Sequence, residues 1–397
     1  MPLNSQNANC QIVITMSGLY IHIPFCKSRC IYCGFYSTTG LELRQRYVDA
    51  VCREMQMRPH GDVSPISTIY LGGGTPSQLT GNQLRQLFQY INKVYGQKAE
   101  EVTIECNPDD ITPDYAALLS QLPVNRVSMG AQTFDNRRLR FLHRRHTAEQ
   151  VTTAVQRLRD AGITNISIDL MYGFPGETID DWQRDIDATL ALDVEHISAY
   201  CLMIEEGTVL FEQMRDEIAT PHSDQSKKLE MRNDKAEELE RAMYEMLIEE
   251  LMAAGYEHYE ISNFAKSGFQ SRHNSSYWRD VPYIGLGAAA HSYDGESRSW
   301  NVSDIHQYMI SIEKGQRLYE QELLDDDTRY NDRITVALRT RDGLDLTTLS
   351  ERHRLYCLQE ASPFLDDGLL RQEGNRLVLT RKGLFVSDMV MSNLIFV

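Results

Sequence analysis

The chain has few basic residues for its size. Lysine and arginine total 40 against 56 aspartates and glutamates, which gives a net charge of −16. A chain this acidic repels phosphate backbones and anionic lipid surfaces, so nucleic acid and membrane surfaces are disfavoured as its main partners. The sequence also lacks any run of about 18 apolar residues that could form a membrane span.

The amino terminus lacks the basic stretch that opens a secretory signal. We therefore expect residues 1–16 to form a flexible tail and the chain to stay in the cytoplasm. That compartment is reducing, so disulfides are rare there. Five of the eight cysteines are scattered along the chain and are interpreted as buried thiols.

The other three cysteines, Cys26, Cys30 and Cys33, are clustered at the spacing C-x3-C-x2-C. Thiolates are soft ligands that select zinc, copper or iron–sulfur clusters. No fourth cysteine or histidine stands at finger-like spacing, which disfavours a closed structural zinc site, although a zinc loop is the alternative interpretation. A cubane held by three cysteines leaves one iron without a protein ligand. The amino and carboxylate groups of a methionine moiety are suited to that open iron.

Short apolar runs alternate with amphipathic stretches through the first two-thirds of the chain. This rhythm predicts parallel strands joined by right-handed helical crossovers, and six such units favour a partial (β/α)6, TIM-like barrel over a flat doubly wound sheet. We predict strands over residues 19–23, 68–71, 101–106, 126–129, 166–171 and 196–203. We predict helices over residues 42–57, 81–94, 113–120, 147–161 and 179–192.

The pattern changes after the last predicted strand. A long charged helix is predicted over residues 225–254, and this helix closes a core domain of residues 17–255. An irregular, aromatic-rich connecting segment follows over residues 256–303. Residues 304–397 are expected to form a smaller α-rich, winged-helix-like domain, with a hairpin that turns at residues 373–375.

Polar and glycine residues follow several predicted strands, where parallel barrels carry their active groups. Gly73, Gly74 and Thr75 follow the second strand, and the glycines let the backbone approach a ligand closely. Glu105 ends the third strand and could accept hydrogen bonds from ribose hydroxyls, or it is a solvated strand-end acid. Asp169 is a charge inside an apolar run, which is typical of a paired or functional group.

The segment from Tyr20 through the cysteine loop resembles the radical S-adenosylmethionine superfamily. Within it, nearly the whole chain is similar to the group that contains oxygen-independent coproporphyrinogen dehydrogenase and the heme chaperone HemW. The resemblance implies a 4Fe–4S cluster on Cys26, Cys30 and Cys33. It also implies contacts to S-adenosylmethionine from Tyr20, Tyr32, Gly73, Gly74, Thr75, Glu105, Gln132, Arg144 and Asp169. For Arg144, the alternative is a surface arginine in a basic run.

The implied chemistry is reductive. An electron from a donor such as flavodoxin or ferredoxin breaks a carbon–sulfur bond of S-adenosylmethionine and yields a 5′-deoxyadenosyl radical. Two functions share this framework: oxidative decarboxylation of coproporphyrinogen III, and binding of heme for transfer to an acceptor protein. A scaffold with a purely structural cluster is the third possibility.

Three features of the sequence favour the heme chaperone. The dehydrogenase group has a further cysteine two positions after the third cluster cysteine, where this chain has Phe35. The dehydrogenase also has a longer amino-terminal extension, whereas 25 residues precede Cys26 here.

The segment His273-Asn274-Ser275-Ser276-Tyr277-Trp278 matches the HNxxYW element of the HemW group, which implies that His273 binds heme. A histidine at a domain seam, packed by two aromatics, is the alternative, and His291 is a weaker candidate.

Overall fold

The computed structural model describes residues 17–59, 65–96, 99–218 and 225–397. The predicted tail, residues 1–16, lies outside these ranges. The chain begins with a repeated strand–helix alternation, as the sequence predicts. Its six strands are β1 (Ser17–Ile23), β2 (Ile66–Gly73), β3 (Glu101–Cys106), β4 (Arg126–Gln132), β5 (Asn165–Tyr172) and β6 (His196–Cys201).

Side-chain caps define the starts of several helices that connect these strands. Helix α2 begins after Thr80, whose hydroxyl and backbone N–H exchange hydrogen bonds with Gln83 in a capping box. The helices of this part are α1 (Arg44–Met57), α2 (Gly81–Tyr95), α3 (Pro113–Leu119), α4 (Asn136–Phe141), α5 (Ala148–Asp160), α6 (Ile179–Ala191), α7 (Val209–Ile218) and α8 (Gln225–Ala253).

Strands β1 to β6 are neighbours in chain order, and each pair is parallel. The register pairs Ile23 with Gly73 and Cys106 with Met129. The carboxyl ends of the strands therefore meet at one edge, where the cysteine loop leaves β1. The α/β class and the parallel strand order expected from the sequence are confirmed.

The segment 256–303 is not irregular, which corrects the expectation from its composition. It forms β7 (Glu257–Glu260), β8 (Asn263–Ala265), α9 (Arg272–Trp278), β9 (Tyr283–Leu286), β10 (His291–Tyr293) and β11 (Ser297–Asn301). Strand β8 pairs antiparallel with β6, and β9 pairs parallel with β1. After α10 (Ile305–Glu313), β12 (Tyr319–Leu323) joins the same sheet, which has twelve strands in the described part of the chain. Among the described strands, β12 and β7 lie at its edges, as expected for a partial barrel.

The remaining chain forms a second, smaller hydrophobic core. It comprises α11 (Asp326–Ala337), β13 (Leu344–Asp345), α12 (Glu351–Asp366), β14 (Leu370–Glu373), β15 (Arg376–Leu379), α13 (Arg381–Leu384) and α14 (Ser387–Asn393). Strands β14 and β15 form the expected hairpin, and Gly374 supplies the left-handed turn at φ 60°. The second core begins at Tyr330, whereas the buried residues of α10, such as Tyr308, pack in the main core. No helix in the described ranges is long and apolar enough to cross a bilayer.

Candidate functional site

The cysteine loop is held at its base by backbone hydrogen bonds. The N–H of Cys26 donates to the carbonyl of Thr38 at 2.9 Å, and the N–H of Thr38 donates to the carbonyl of Pro24 at 2.7 Å. Cys26, Cys30 and Cys33 are half-buried free thiols that line one cavity of about 200 Å³. Burial raises the pKa of the Cys26 and Cys33 thiols.

The three thiols surround the cavity without converging on one point. No group of three or more His, Cys, Asp or Glu side chains within the described ranges is arranged to hold a single metal ion. A mononuclear zinc site needs its sulfur ligands about 2.3 Å from one centre. A cubane is bound at three separate iron corners, so its ligands stand further apart. The arrangement therefore fits a cluster better than a single ion.

The glycine loop after β2 packs against the start of the cysteine loop. The N–H of Gly74 donates to the carbonyl of Ile23 at 2.9 Å. A Cβ at Gly74 would stand 2.8 Å from the carbonyl carbon of Pro24, so no side chain fits there. Gly73 has φ 109°, a conformation that side chains disfavour. Thr75 Oγ1 lies 3.5 Å from the Cys26 sulfur, which joins the two loops.

Glu105 forms one wall of the cavity. Its Oε1 accepts a hydrogen bond from the Tyr70 hydroxyl at 2.7 Å, and its Oε2 accepts one from the N–H of Gly73 at 3.0 Å. Burial raises the pKa of Glu105 to about 7, and the nearby Asp169 acts in the same direction. Each oxygen keeps a lone pair for a further donor, as a ribose hydroxyl would supply.

Arg144 is half-buried in the wall of the cavity. Its Nη2 donates to Asn107 Oδ1 and to the carbonyl of Gly130, both at 2.5 Å, and its Nη1 lies 3.5 Å from the Cys30 sulfur. Its buried Nε has no hydrogen-bond partner among the described residues. Asn107 and Gly130 also line the cavity and were not singled out in the sequence, although each stands at the carboxyl end of a strand.

Asp169 and Gln132 complete the walls. Asp169 accepts a hydrogen bond from Ser128 Oγ at 3.4 Å, and its burial raises its pKa, while Arg126 opposes that rise. Gln132 has φ 68°, which is uncommon for a residue with a side chain. Such backbone conformations are concentrated at active sites and ligand-binding regions. The bend at Gln132 interrupts the β4–β5 register and places its side chain against Gly130.

The two predicted tyrosines lie at different places. Tyr32 lines the cavity within the cysteine loop, and burial raises its pKa. Tyr20 is the one predicted residue of this set that stays off the cavity wall. Its hydroxyl lies 3.0 Å from His22 Nδ1, and its ring stacks on Tyr70 at a centroid distance of 6.2 Å. Tyr20 thus supports Tyr70, which in turn contacts Glu105.

His273 lies at the other end of the barrel. Helix α9 is anchored at its start by Glu101, the first residue of β3, which accepts the N–H of His273 at 2.9 Å. The ring is fully buried, with Nδ1 2.8 Å from Thr68 Oγ1 and Nε2 2.8 Å from the Tyr277 hydroxyl. Burial lowers the pKa of His273 to about 3, so the ring is neutral. Neither ring nitrogen is open in this arrangement. His291 is exposed and stacks on Trp300.

The residues of the cavity fit a cubane together with a bound sulfonium amino acid. Three soft thiols are the ligand set that a cubane with one open iron would use. The glycine loop leaves backbone accessible where a Cβ would block it, and the buried guanidinium of Arg144 retains an unused donor. An arginine fork of this kind is suited to a carboxylate.

Comparison with known proteins identifies the family of the chain. The chain matches the Radical SAM superfamily over residues 20–188 and the HemN C-terminal domain over residues 324–386. It is 33% identical to the heme chaperone HemW of Lactococcus lactis over 92% of this chain and 94% of that protein. It is 34% identical to the heme chaperone HemW of Mycobacterium tuberculosis, over 95% of this chain and 94% of that protein.

Among solved structures, coproporphyrinogen III oxidase (HemN) from Escherichia coli superimposes with a TM-score of 0.78 and 21% identity. This match covers 96% of this chain and 90% of that one. At this identity the likeness shows a shared fold. On the relatives that span nearly its whole length, the chain belongs to the HemW family of the radical SAM superfamily.

Proposed function

We propose that this protein is a heme chaperone that carries a 4Fe–4S cluster and S-adenosylmethionine and hands heme to an acceptor protein. The observation that carries the proposal is one cavity that gathers the three thiols, the glycine loop, Glu105 and Arg144, in a chain whose relatives are named heme chaperones. The free thiols of the described residues are compatible with the reducing cytoplasm.

Each wall of the cavity has a distinct part in this proposal. Cys26, Cys30 and Cys33 hold the cluster. The backbone of the glycine loop and the guanidinium of Arg144 orient the amino acid end of S-adenosylmethionine, while Glu105 accepts from its ribose. With an electron from a flavodoxin- or ferredoxin-like donor, the bound cluster supplies reductive cleavage of the sulfonium.

Phe35 favours the chaperone over a coproporphyrinogen dehydrogenase. Its side chain is 70% exposed at the rim of the cavity, at the position where the dehydrogenase group has a further cysteine. A phenyl ring can contact an apolar ligand or partner, but it cannot act as a thiol. We therefore expect little or no turnover of coproporphyrinogen III.

His273 is the residue that the HNxxYW element assigns to heme. For its Nε2 to reach an iron, the hydrogen bond to Tyr277 would have to break. His196 provides a matched control for this proposal: it is also fully buried, with Nδ1 2.8 Å from Ser167 Oγ and Nε2 2.7 Å from the Tyr259 hydroxyl. Alanine at either position leaves similar polar groups unpaired, so their costs in stability should be comparable.

The test is anaerobic reconstitution of the full chain, followed by titration with hemin. We expect a Soret shift in the wild type, and the comparison of His273→Ala with His196→Ala decides whether His273 ligates the iron. Release of 5′-deoxyadenosine and turnover of coproporphyrinogen III are assayed on the same samples. Robust turnover would reverse the choice between the two functions, and absence of hemin binding by the wild type would end the chaperone proposal. Equal binding by the two alanine variants would remove His273 as the ligand.

A further inference from the structure

A large cleft lies at the opposite end of the barrel from the cysteine loop. Its volume is about 950 Å³, within the range of ligand pockets. One side is formed by the outer face of α9 and by residues at the amino ends of β2 and β3, such as Thr68 and Glu100. The other side is formed by α11 and β13 of the smaller core, including Val336 and Leu344. None of the residues that line this cleft also lines the cavity of the cysteine loop.

The lining combines apolar surface with five arginines and four carboxylates, so its positive groups exceed its negative groups by one. Trp278, half-buried at the end of α9, lies beside Val281 and Val336. Five guanidinium groups line the same cleft in a chain whose net charge is −16. These arginines are Arg272, Arg279, Arg333, Arg341 and Arg376. Each has a carboxylate neighbour, but ion pairs at solvent-exposed sites are worth about 0–1 kcal/mol, so a ligand carboxylate can replace them at little cost.

Arg279 and Arg376 have the weakest of these pairings and approach one turn from two directions. Arg279, which follows α9, contacts Asp342 Oδ2 at 3.4 Å. Arg376, on β15, donates to the backbone carbonyl of Asp342 at 3.0 Å and contacts Asp345 Oδ2 at 3.4 Å. Both side chains are exposed, at 69% and 47%. Planar guanidinium forks bind carboxylates in a bidentate manner, and two of them beside one turn can bind two carboxylates of a single ligand.

We propose that this cleft is the tetrapyrrole site of the protein. Trp278 and its apolar neighbours contact the ring plane, and Arg279 and Arg376 bind the two propionates. The inference rests on the proposed function, because that function supplies a planar aromatic dicarboxylate as the ligand class. Aromatic rings favour offset stacking with other rings, which suits the exposed part of Trp278.

Iron is not required for this recognition. The described residues that line the cleft include no histidine, cysteine or methionine, and the hydroxyl of its one tyrosine, Tyr259, is engaged 2.7 Å from His196 Nε2. His273 stands behind the wall, because Thr68 lines the cleft and its hydroxyl contacts His273 Nδ1 at 2.8 Å. The ring and its carboxylates therefore supply the affinity, and a metal-free porphyrin should bind about as well as hemin.

The experiment titrates the reconstituted full-length protein with hemin, protoporphyrin IX and protoporphyrin IX dimethyl ester. The wild type should bind hemin and protoporphyrin IX within about threefold of each other, and the ester at least about tenfold more weakly. Each lost charge-assisted hydrogen bond should weaken binding by about tenfold, so Arg279→Gln/Arg376→Gln should lose about a hundredfold for both acids. The charge-matched control is Arg46→Gln/Arg381→Gln, which removes two exposed ion pairs elsewhere and should bind as the wild type does.

The possible results distinguish failure of the proposed cleft site from failure of the proposed function. If hemin binds but protoporphyrin IX does not, iron ligation dominates and the cleft proposal fails while the chaperone survives. Unchanged affinity in Arg279→Gln/Arg376→Gln, with wild-type circular dichroism, also overturns the cleft alone. If the wild type binds none of the three compounds, the proposed function falls together with the site.

Discussion

The hydrogen bond from Tyr70 to Glu105 gives a prediction whose sign and size follow from the structure. Tyr70→Phe removes the hydroxyl that donates to Glu105 at 2.7 Å and keeps the ring that stacks on His273. Glu105 is then left with the N–H of Gly73 as its one protein donor among the described hydrogen bonds. The substitution therefore isolates one polar contact at the wall of the cofactor cavity.

The cost of this substitution should depend on pH. In the folded chain the pKa of Glu105 is raised to about 7, above its value of 4.5, chiefly by burial. The folded chain holds this proton more tightly than the unfolded chain, so stability falls as the pH rises from 4.5 to about 7. The Tyr70 hydroxyl opposes that fall because it stabilises the ionised form. A hydrogen bond to a charged group contributes about 1.5–3 kcal/mol, and one to a neutral group about 0.5–1.5 kcal/mol.

We therefore expect Tyr70→Phe to lower the free energy of unfolding by about 2 kcal/mol at pH 8 and by about 1 kcal/mol at pH 5. Urea denaturation of the chain without cluster or cofactor measures both values. The same substitution in a Glu105→Gln background should show no pH dependence, which completes a double-mutant cycle. Equal costs at the two pH values, or a pH-dependent cost that persists without Glu105, would refute the reasoning.

Three further predictions concern the cavity. Cys26→Ser, Cys30→Ser and Cys33→Ser should each abolish the iron and sulfide content after anaerobic reconstitution. The control is Cys201→Ser, which removes a half-buried thiol outside the loop and should retain both iron and sulfide. Gly74→Ala places a Cβ against backbone and should weaken binding of S-adenosylmethionine by about tenfold in calorimetry. In the control Gly176→Ala, the new Cβ meets no atom within 4 Å, and the strain at φ 73° lies outside the residues that line the cavity, so that affinity should be unchanged. Arg144→Lys loses the planar fork that reaches two acceptors, so the same affinity should fall by about tenfold, and wild-type affinity would argue against a carboxylate contact.

The sequence predicts the first half of the fold well because its information is local. Each strand from β1 to β6 is an apolar run of several residues, and each is followed by a helix with its own start and stop residues. Because these strands pair in parallel, their carboxyl ends meet at one edge of the sheet. This explains why residues as distant in sequence as Thr75 and Arg144 line one cavity.

The parts that the sequence did not reveal depend on long-range pairing. Strands β8 and β9 have three and four residues, too few to establish a period, and they are strands because β6 and β1 offer free edges. The register pairs Gly18 with Tyr283, and no local sequence pattern predicts that pairing. Asn107 was missed for a similar reason, since its role appears only when the Arg144 guanidinium meets its side chain.

The residues of the HNxxYW element are adjacent in sequence but face two different regions of the structure. On helix α9, His273 and Tyr277 are four residues apart and share a face, so both turn inward, where they hydrogen-bond to each other. Trp278 is one position further on, about 100° around the helix, and lines the cleft instead. The inner face continues through the stacked ring of Tyr70 to Glu105 at the cofactor cavity. One short helix thus places its histidine in the barrel interior and its tryptophan in the arginine-lined cleft, so substitutions at the two positions should have separable effects.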